Sequence, residues 1–200
     1  MPIYCDESGG VGRGVMTLAA VNIQPDAADS LLSRFRATTG YLGELKGSRI
    51  DLVRRNLFFG LFTELDATAT VGIAISALKP EPDEDRGDHD IVTYAALLND
   101  VIGAMLPCVM DCESVIIDDG RYGPETLSKV RDDIGRLVGP CGTARLELSH
   151  RLAGLQIADV IANSFFNRAL VNDRQGRMAA VVAPLLENGR LKMRVLPNNA

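Results

Sequence analysis

Long hydrophobic runs are missing from this chain of 200 residues. No apolar stretch approaches the roughly 18 residues of a membrane span, so no membrane association is expected. The N-terminus has neither a charged leader nor a cleavable apolar segment, and no secretion signal is expected. Cysteine is sparse, with 4 residues at Cys5, Cys108, Cys112 and Cys141. Only Cys108 and Cys112 are close, and neither has a His or Cys partner at zinc-like spacing. A zinc site and a disulfide framework are thereby excluded, and the thiols read as reduced, mostly buried and cytoplasmic. Internal repeats and low-complexity tracts are also absent. So is an excess of positive charge: the net charge is −5, which at first speaks against a nucleic-acid partner. The distribution softens that, because residues 1–120 are acidic and residues 121–200 are basic. A basic half can bind phosphates without sequence preference. Part of the acidity sits in Glu81-Pro82-Asp83-Glu84-Asp85, with Asp88 and Asp90 just beyond, which reads as a solvated loop.

What is present suits one core. At 46% hydrophobic residues the chain is expected to form a single domain over residues 1–200. Residues 2–6 read as a strand, Gly9 to Gly14 as a hairpin turn, and Val15 to Ile23 as the returning strand. Pro25-Asp26 opens a helix to about Ala37. The pattern predicts that Ser48 caps the next helix, with a stripe of Ile50, Val53, Leu57, Leu61 and Leu65 that Arg54 and Arg55 leave. Thr68 to Leu78 reads as a strand, Ile91 to Leu106 as a helix, and the Val115 run as a strand. A helix from about Pro124 to Val138, a short strand from Ala144 to Leu148 and a helix from Gly154 to about Leu170 follow. Residues 171–200 form a C-terminal extension, with a helix near Met178 to Glu187 and a last strand from Leu191 to Val195. The order β-β-α-α-β-α-β-α-β-α-α-β predicts an α/β fold, a mixed sheet flanked by α-helices.

Two of the strands end in acids. Ile3-Tyr4-Cys5 stops at Asp6-Glu7-Ser8-Gly9, and Ser114-Val115-Ile116-Ile117 stops at Asp118-Asp119-Gly120. Carboxylates on neighbouring strand ends repel unless a cation or a proton lies between them. Glu7 and Asp119 are expected behind the ligands or facing solvent, since alternation turns them away from Asp6 and Asp118. Asp159 is the most unusual residue. On a helical wheel it lies about 40° from Leu155, within an apolar face that also holds Ala158, Ala162, Phe166 and Ala169. An ionised carboxylate there is costly unless paired or bound to metal. Ile157, Val160 and Ile161 leave that face, which implies either burial on two sides or a homodimer contact. Glu44-Leu45-Lys46 sits in a Gly-containing connection. Lys46 can pair with a phosphate or with Glu44. Ser149 and His150 end the strand before the Asp159 helix, where His150 can shuttle protons or simply cap.

Together these segments resemble a known family. Tyr4-Cys5-Asp6-Glu7-Ser8-Gly9, Glu44-Leu45-Lys46, Val115-Ile116-Ile117-Asp118 and Leu155-Gln156-Ile157-Ala158-Asp159 look like the signature blocks of domain of unknown function 3800, in that family's order and across residues 2–170. The family is similar to the ribonuclease H-like superfamily of two-metal nucleases. The resemblance implies a ribonuclease H-like fold, a nucleic-acid substrate and hydrolysis of phosphodiester bonds. It implies two Mg2+ or Mn2+ ions about 3.5–4 Å apart, held by Asp6, Glu44, Asp118 and Asp159. Lys46 would neutralise the scissile phosphate. Gln156 would orient a ligand from behind, with Glu7, Ser8, Asp119, Ser149 and His150 around it. Two other readings stand beside it. One is an inactive nucleic-acid- or partner-binding module of the same fold. The other is a haloacid-dehalogenase-type phosphatase, which would need an Asp at the position of Ser8 and has no use for Asp159.

Overall fold

A computed structural model describes residues 1–75, 86–106 and 114–196. Cys108, Cys112 and the segment Glu81 to Asp85 lie outside the described residues. The chain runs β1 (Ile3–Gly10), β2 (Val15–Asn22), α1 (Pro25–Thr39), α2 (Leu52–Thr63), β3 (Thr68–Ile75) and α3 (Arg86–Met105). It continues through β4 (Ser114–Asp118), α4 (Pro124–Val138), β5 (Thr143–Glu147), α5 (Ala153–Ala169), α6 (Gln175–Glu187) and β6 (Leu191–Val195). This is the α/β fold and element order that the sequence pattern predicts. The six-stranded sheet has the order β5-β4-β1-β2-β3-β6. Strands β1, β2 and β3 form an antiparallel meander, while β4 runs parallel to β1, β5 to β4 and β6 to β3.

Alternation along the strands builds two cores. Tyr4, Ala19, Val21, Val71 and Ile116 face α1, α2, α5 and α6. Ile3, Cys5, Met16, Leu18, Val115 and Ile117 face α3 and α4, where they meet Tyr94, Leu97, Leu98, Val101 and Ile134. Each fully buried Phe, Leu or Ile in these layers contributes about 1.5–3 kcal/mol. Helix α5 is covered nearly all round: Leu155, Ile157, Ala158, Val160, Ile161, Ala162 and Phe165 are all fully buried. Of the two readings of Ile157, Val160 and Ile161, burial on two sides is the one found, because α1, the sheet and α6 enclose the helix within this chain. The Thr17 hydroxyl ties α5 to the sheet by donating to the Ala162 carbonyl at 2.8 Å.

Three local expectations are corrected. Gly47–Arg49 form a 3-10 turn, and the cap of α2 is Asp51, whose carboxylate accepts the Arg54 N–H at 2.9 Å. The buried face of α2 is Arg55, Phe58, Phe59, Leu61 and Phe62, while Val53 is 78% exposed. The helix turned its aromatic residues inward because they bury more apolar area than the Val53 stripe would. Arg55 goes in with them because its donors are satisfied. It donates to the Val160 carbonyl, the Ser164 hydroxyl, the Gly47 carbonyl and the Asn163 side-chain oxygen. Asp90 is no solvated loop residue. It sits on α3, accepts the Val11 N–H at 2.8 Å and the Tyr122 hydroxyl at 2.7 Å, and pairs with Arg121 at 2.8 Å.

Candidate active site

Asp6 and Asp118 are neighbours because β1 and β4 are parallel and in register. Cys5 pairs with Ile117, so the next residue on each strand meets across the sheet edge. Tyr4 and Ile116 face α5, and the period of two sends Asp6 and Asp118 to that same face. Asp159 descends from α5 onto them. Glu44 and Lys46 enter from the connection between α1 and α2. The side chains of Asp6, Glu7, Glu44, Lys46, Asp118, Arg121, Ser149, His150 and Asp159 line one open cleft of about 510 Å3.

The acids are crowded and partly dry. Asp6 is 5% exposed and Asp118 is 8% exposed. Asp159, on a helix otherwise buried around it, is half-buried where α5 opens to the cleft. Asp6 Oδ1 accepts the Glu7 N–H at 2.7 Å. Asp6 Oδ2 is buried and has no hydrogen-bond partner. Burial, followed by the charges of Glu7, Asp159 and Asp118, holds the Asp6 carboxyl well above the usual range, against the pull of Lys46. Burial also raises Asp118 and Asp159, although Lys46 and the N–H groups of Ser149 and Gly47 counter it. Asp159 Oδ2 accepts that Gly47 N–H at 2.8 Å.

Lys46 is the cation among these acids. Its Nζ lies 3.0 Å from Glu44 Oε1 and donates to Ser149 Oγ at 2.9 Å. Ser149 in turn donates to Glu44 Oε1 at 2.5 Å. Burial opposes the Lys46 charge, but Asp159, Asp6 and Glu44 outweigh it and raise its pKa. The same triangle lowers Glu44, whose hydrogen bonds to Ser149 and Lys46 overcome its desolvation. No group of three or more His, Cys, Asp or Glu among the described residues is gathered closely enough to hold a metal ion.

The remaining expected residues divide. Glu7 alternates with Asp6 along β1 yet still lines the cleft, where burial pushes it up to about 7 against the attraction of Arg121, 3.7 Å away. Ser8 accepts from the Asn163 amide at 3.0 Å and does not line the cleft. Its hydroxyl stands where a dehalogenase-type phosphatase would need a carboxyl. Asp119 is exposed and outside the cleft, and only its backbone N–H is engaged, by the Glu147 carbonyl. His150 is exposed at the mouth. Gln156 is buried behind the site. Its carbonyl oxygen accepts the Leu45 N–H at 2.9 Å and Arg36 at 3.2 Å, and its amide donates to the Ser149 carbonyl at 3.1 Å. One side chain therefore locks the Glu44–Lys46 segment to the Ser149 turn.

Sequence reasoning missed Arg121, Arg55 and Asn163. Arg121 follows directly on Asp118-Asp119-Gly120, yet nothing in a basic residue after a turn marks it as the partner of Glu7 and Asp90. Arg55 was masked by its neighbours, since an Arg beside an apolar stripe usually faces water.

No known protein-family model matches the chain, and no curated protein matches it. Among solved structures it is similar to a chain in the PCNA:RNase HII complex from Archaeoglobus fulgidus, at 15% identity and a TM-score of 0.49. The alignment covers 99% of this chain and 90% of that one. A likeness of that degree decides neither activity nor substrate. No helix among the described residues is long and apolar enough to cross a membrane.

Proposed function

We propose that this chain is a metal-dependent nuclease of ribonuclease H-like type, as its resemblance to the domain of unknown function 3800 family implies, with residues 1–200 as one domain. One observation carries the reading. A buried carboxylate oxygen, Asp6 Oδ2, has no partner, and Asp6 lines a cleft with four further acids. Unsatisfied buried acceptors are rare in folded chains, and a hard cation is the natural partner for one surrounded by like charge. The donor chemistry suits that cation, being all carboxylate oxygen, although no three of the acids are gathered around one point among the described residues. Asp6, Asp118, Asp159 and Glu44 would hold it.

Bound there, two Mg2+ or Mn2+ ions would supply an acidified water and positive charge at the leaving oxygen. The chain's own groups do the rest. Lys46 Nζ offers its charge to a non-bridging phosphate oxygen and gives up Glu44 as it does so. Ser149 keeps Glu44 and Lys46 aligned through its hydroxyl. Gln156 fixes the backbone of Leu45, so both flanking side chains keep their aim. Arg121, 3.7 Å from Glu7, offsets the charge of that acid beside Asp6. His150, exposed at the mouth, exchanges protons between the cleft and water.

A second reading has its own support. Lys46 already offsets part of the acids' charge, as it would in a nucleic-acid-binding module that hydrolyses nothing. The test is a cleavage screen of RNA, DNA and hybrid substrates in Mg2+, Mn2+ and chelator, with Asp118→Asn alongside. Metal-dependent cleavage that Asp118→Asn abolishes, with an unchanged circular dichroism spectrum, is the expected result. Binding that chelator does not affect, with no cleavage in any metal, would replace the nuclease by the binding module.

A further inference from the structure

A second cleft lies on the far side of the loop that carries Lys46. It encloses about 530 Å3 between that loop, the start of α2, α5 and the start of α6. Five arginines line it, Arg13, Arg49, Arg55, Arg174 and Arg177, against one acid, Asp51. That is an unusual concentration in a chain of net charge −5. Asp51 is itself occupied, capping α2 and lying 3.6 Å from Arg54. Asp173 lies 3.7 Å from Arg177, on exposed side chains where the pair is worth little. Among the described residues no carboxylate pairs with Arg13, Arg49 or Arg174.

The floor of this cleft is built rather than incidental. Arg55 is 5% exposed, and its hydrogen bonds end only on neutral oxygens: two carbonyls, a hydroxyl and an amide. Its charge is therefore satisfied in geometry but not neutralised. Burial pushes its pKa down to about 10, with Arg174 adding to the fall and Asp159 opposing it. A buried cation without a counter-ion projects its field into the nearest opening. The rest of the lining suits a nucleotide strand: Ser48 offers a hydroxyl, and Phe166 and Met178 offer an apolar wall. Asn163 and Asn167 are bonded to each other, and Asn163 also to Arg55 and Ser8.

The two clefts share a wall. Glu44 and Lys46 face the acidic one, and Ser48 and Arg49 face the basic one. Between them, Gly47 donates its N–H to Asp159 and gives its carbonyl to Arg55. Bulk is forbidden there, since a Cβ on Gly47 would fall 2.6 Å from Asn163 Cβ. A chain lying over this wall would place one phosphate at Lys46 and a neighbouring one among the arginines.

We propose that the arginine cleft is a phosphate track for a single nucleic-acid strand, which enters over Gly47–Arg49 and presents its backbone to the acidic cleft. The nature of the ligand rests on the nuclease reading above, whereas the site itself rests on the arginines. Grooves that follow a single strand combine such backbone cations with an apolar face for the bases.

The test is binding rather than cleavage. Fluorescence anisotropy of labelled 20-nucleotide RNA and DNA single strands is measured in chelator, over a series of salt concentrations. The full chain is compared with Arg49→Gln/Arg174→Gln/Arg177→Gln, and with Arg131→Gln/Arg136→Gln on α4 as a charge control. The three cleft arginines are exposed, so the variant is expected to fold, and circular dichroism verifies it. Affinity is expected to fall at least about tenfold, and the slope of log K against log salt to flatten by about 2, from a coefficient of about 0.7 per phosphate contact. The α4 control should lose much less. Unchanged affinity and slope in the cleft variant would overturn the track. Displacement of the strand by pyrophosphate at the strand's own affinity would overturn it too, in favour of a small-anion site. Cleft-dependent binding without cleavage in any metal would leave the track standing and remove the nuclease. Metal-dependent cleavage with unchanged binding in the cleft variant would do the reverse.

Discussion

Replacing Asp6 by Asn should make the metal-free protein more stable, not less. Most substitutions of a buried group destabilise, so the sign alone is informative. Asp6 Oδ1 keeps its bond from the Glu7 N–H in either residue. Asp6 Oδ2 is buried without a partner, and the charges of Glu7, Asp159 and Asp118 all press on it. An unsatisfied buried polar atom costs about 1–3 kcal/mol. An amide at that place donates an N–H to the acids that formerly repelled it. The expected gain in chelator is therefore up to about 2 kcal/mol, which in a chain of this size raises Tm by up to about 8 °C. Metal should invert the order. A ligand at one hundred times its Kd stabilises the folded state by about 2.7 kcal/mol, and the wild type should gain that in Mn2+ while Asp6→Asn should not. Calorimetry is the suitable assay, because the chain has no Trp to report unfolding by fluorescence. A variant less stable than the wild type in chelator, with neither protein responding to Mn2+, would refute the reasoning. Asp6 would then have a partner that a repulsive cluster does not provide.

Three further outcomes follow from the same geometry. Gln156→Leu should strand the Leu45 N–H and the Ser149 carbonyl, costing about 2–4 kcal/mol by denaturant titration and most of any cleavage. Gly47→Ala should push the loop off α5, since its Cβ would also stand 3.1 Å from the Asp159 carbonyl oxygen; about 1–3 kcal/mol of stability should go. An unshifted melting curve for Gly47→Ala would show that the loop yields freely. Asp90 is held below the usual carboxylate range, because bonds from Tyr122, Val11 and Arg121 outweigh its desolvation. Its contribution is therefore complete above the ordinary Asp range and is lost as pH falls through the lower folded value. The stability gap between wild type and Asp90→Asn, measured by urea titration, should be constant near neutrality and shrink in acid; a gap that widens in acid would contradict the pairing.

Much of the architecture was legible because it follows from short periods. Alternation and punctuation gave the strand ending at Asp118, and a repeat of three to four gave α4 from Pro124 to Val138, whereas β1 runs on past Asp6 to Gly10 because β2 pairs with it along that length. Asp119 lies outside the cleft that Asp118 lines, whereas Glu7 lines it together with Asp6. Helix α2 was misread because phase depends on the partner surface. Its aromatic residues find α1 and the sheet, and Arg55 finds acceptors more than a hundred residues away in the chain. Asp90 was misread for a similar reason, since one local acidic run looks solvated until Arg121 and Tyr122 arrive from beyond β4.

The sequence by itself determined the order of strands and helices, and with it that two carboxylates follow short apolar β-runs and a third interrupts an apolar helix. Those are properties of neighbours in the chain, where backbone geometry sets the period. Only the tertiary structure decided that Asp6 and Asp118 stand side by side, that Asp159 and Glu44 join them, and that Lys46 is the cation they surround. It alone brought five arginines from the β1–β2 turn, the loop before α2, α2 itself and the start of α6 to one cleft. Strand register and helix packing are set by burial between segments far apart in sequence. Charge clusters assembled in that way leave no pattern in the chain to be read.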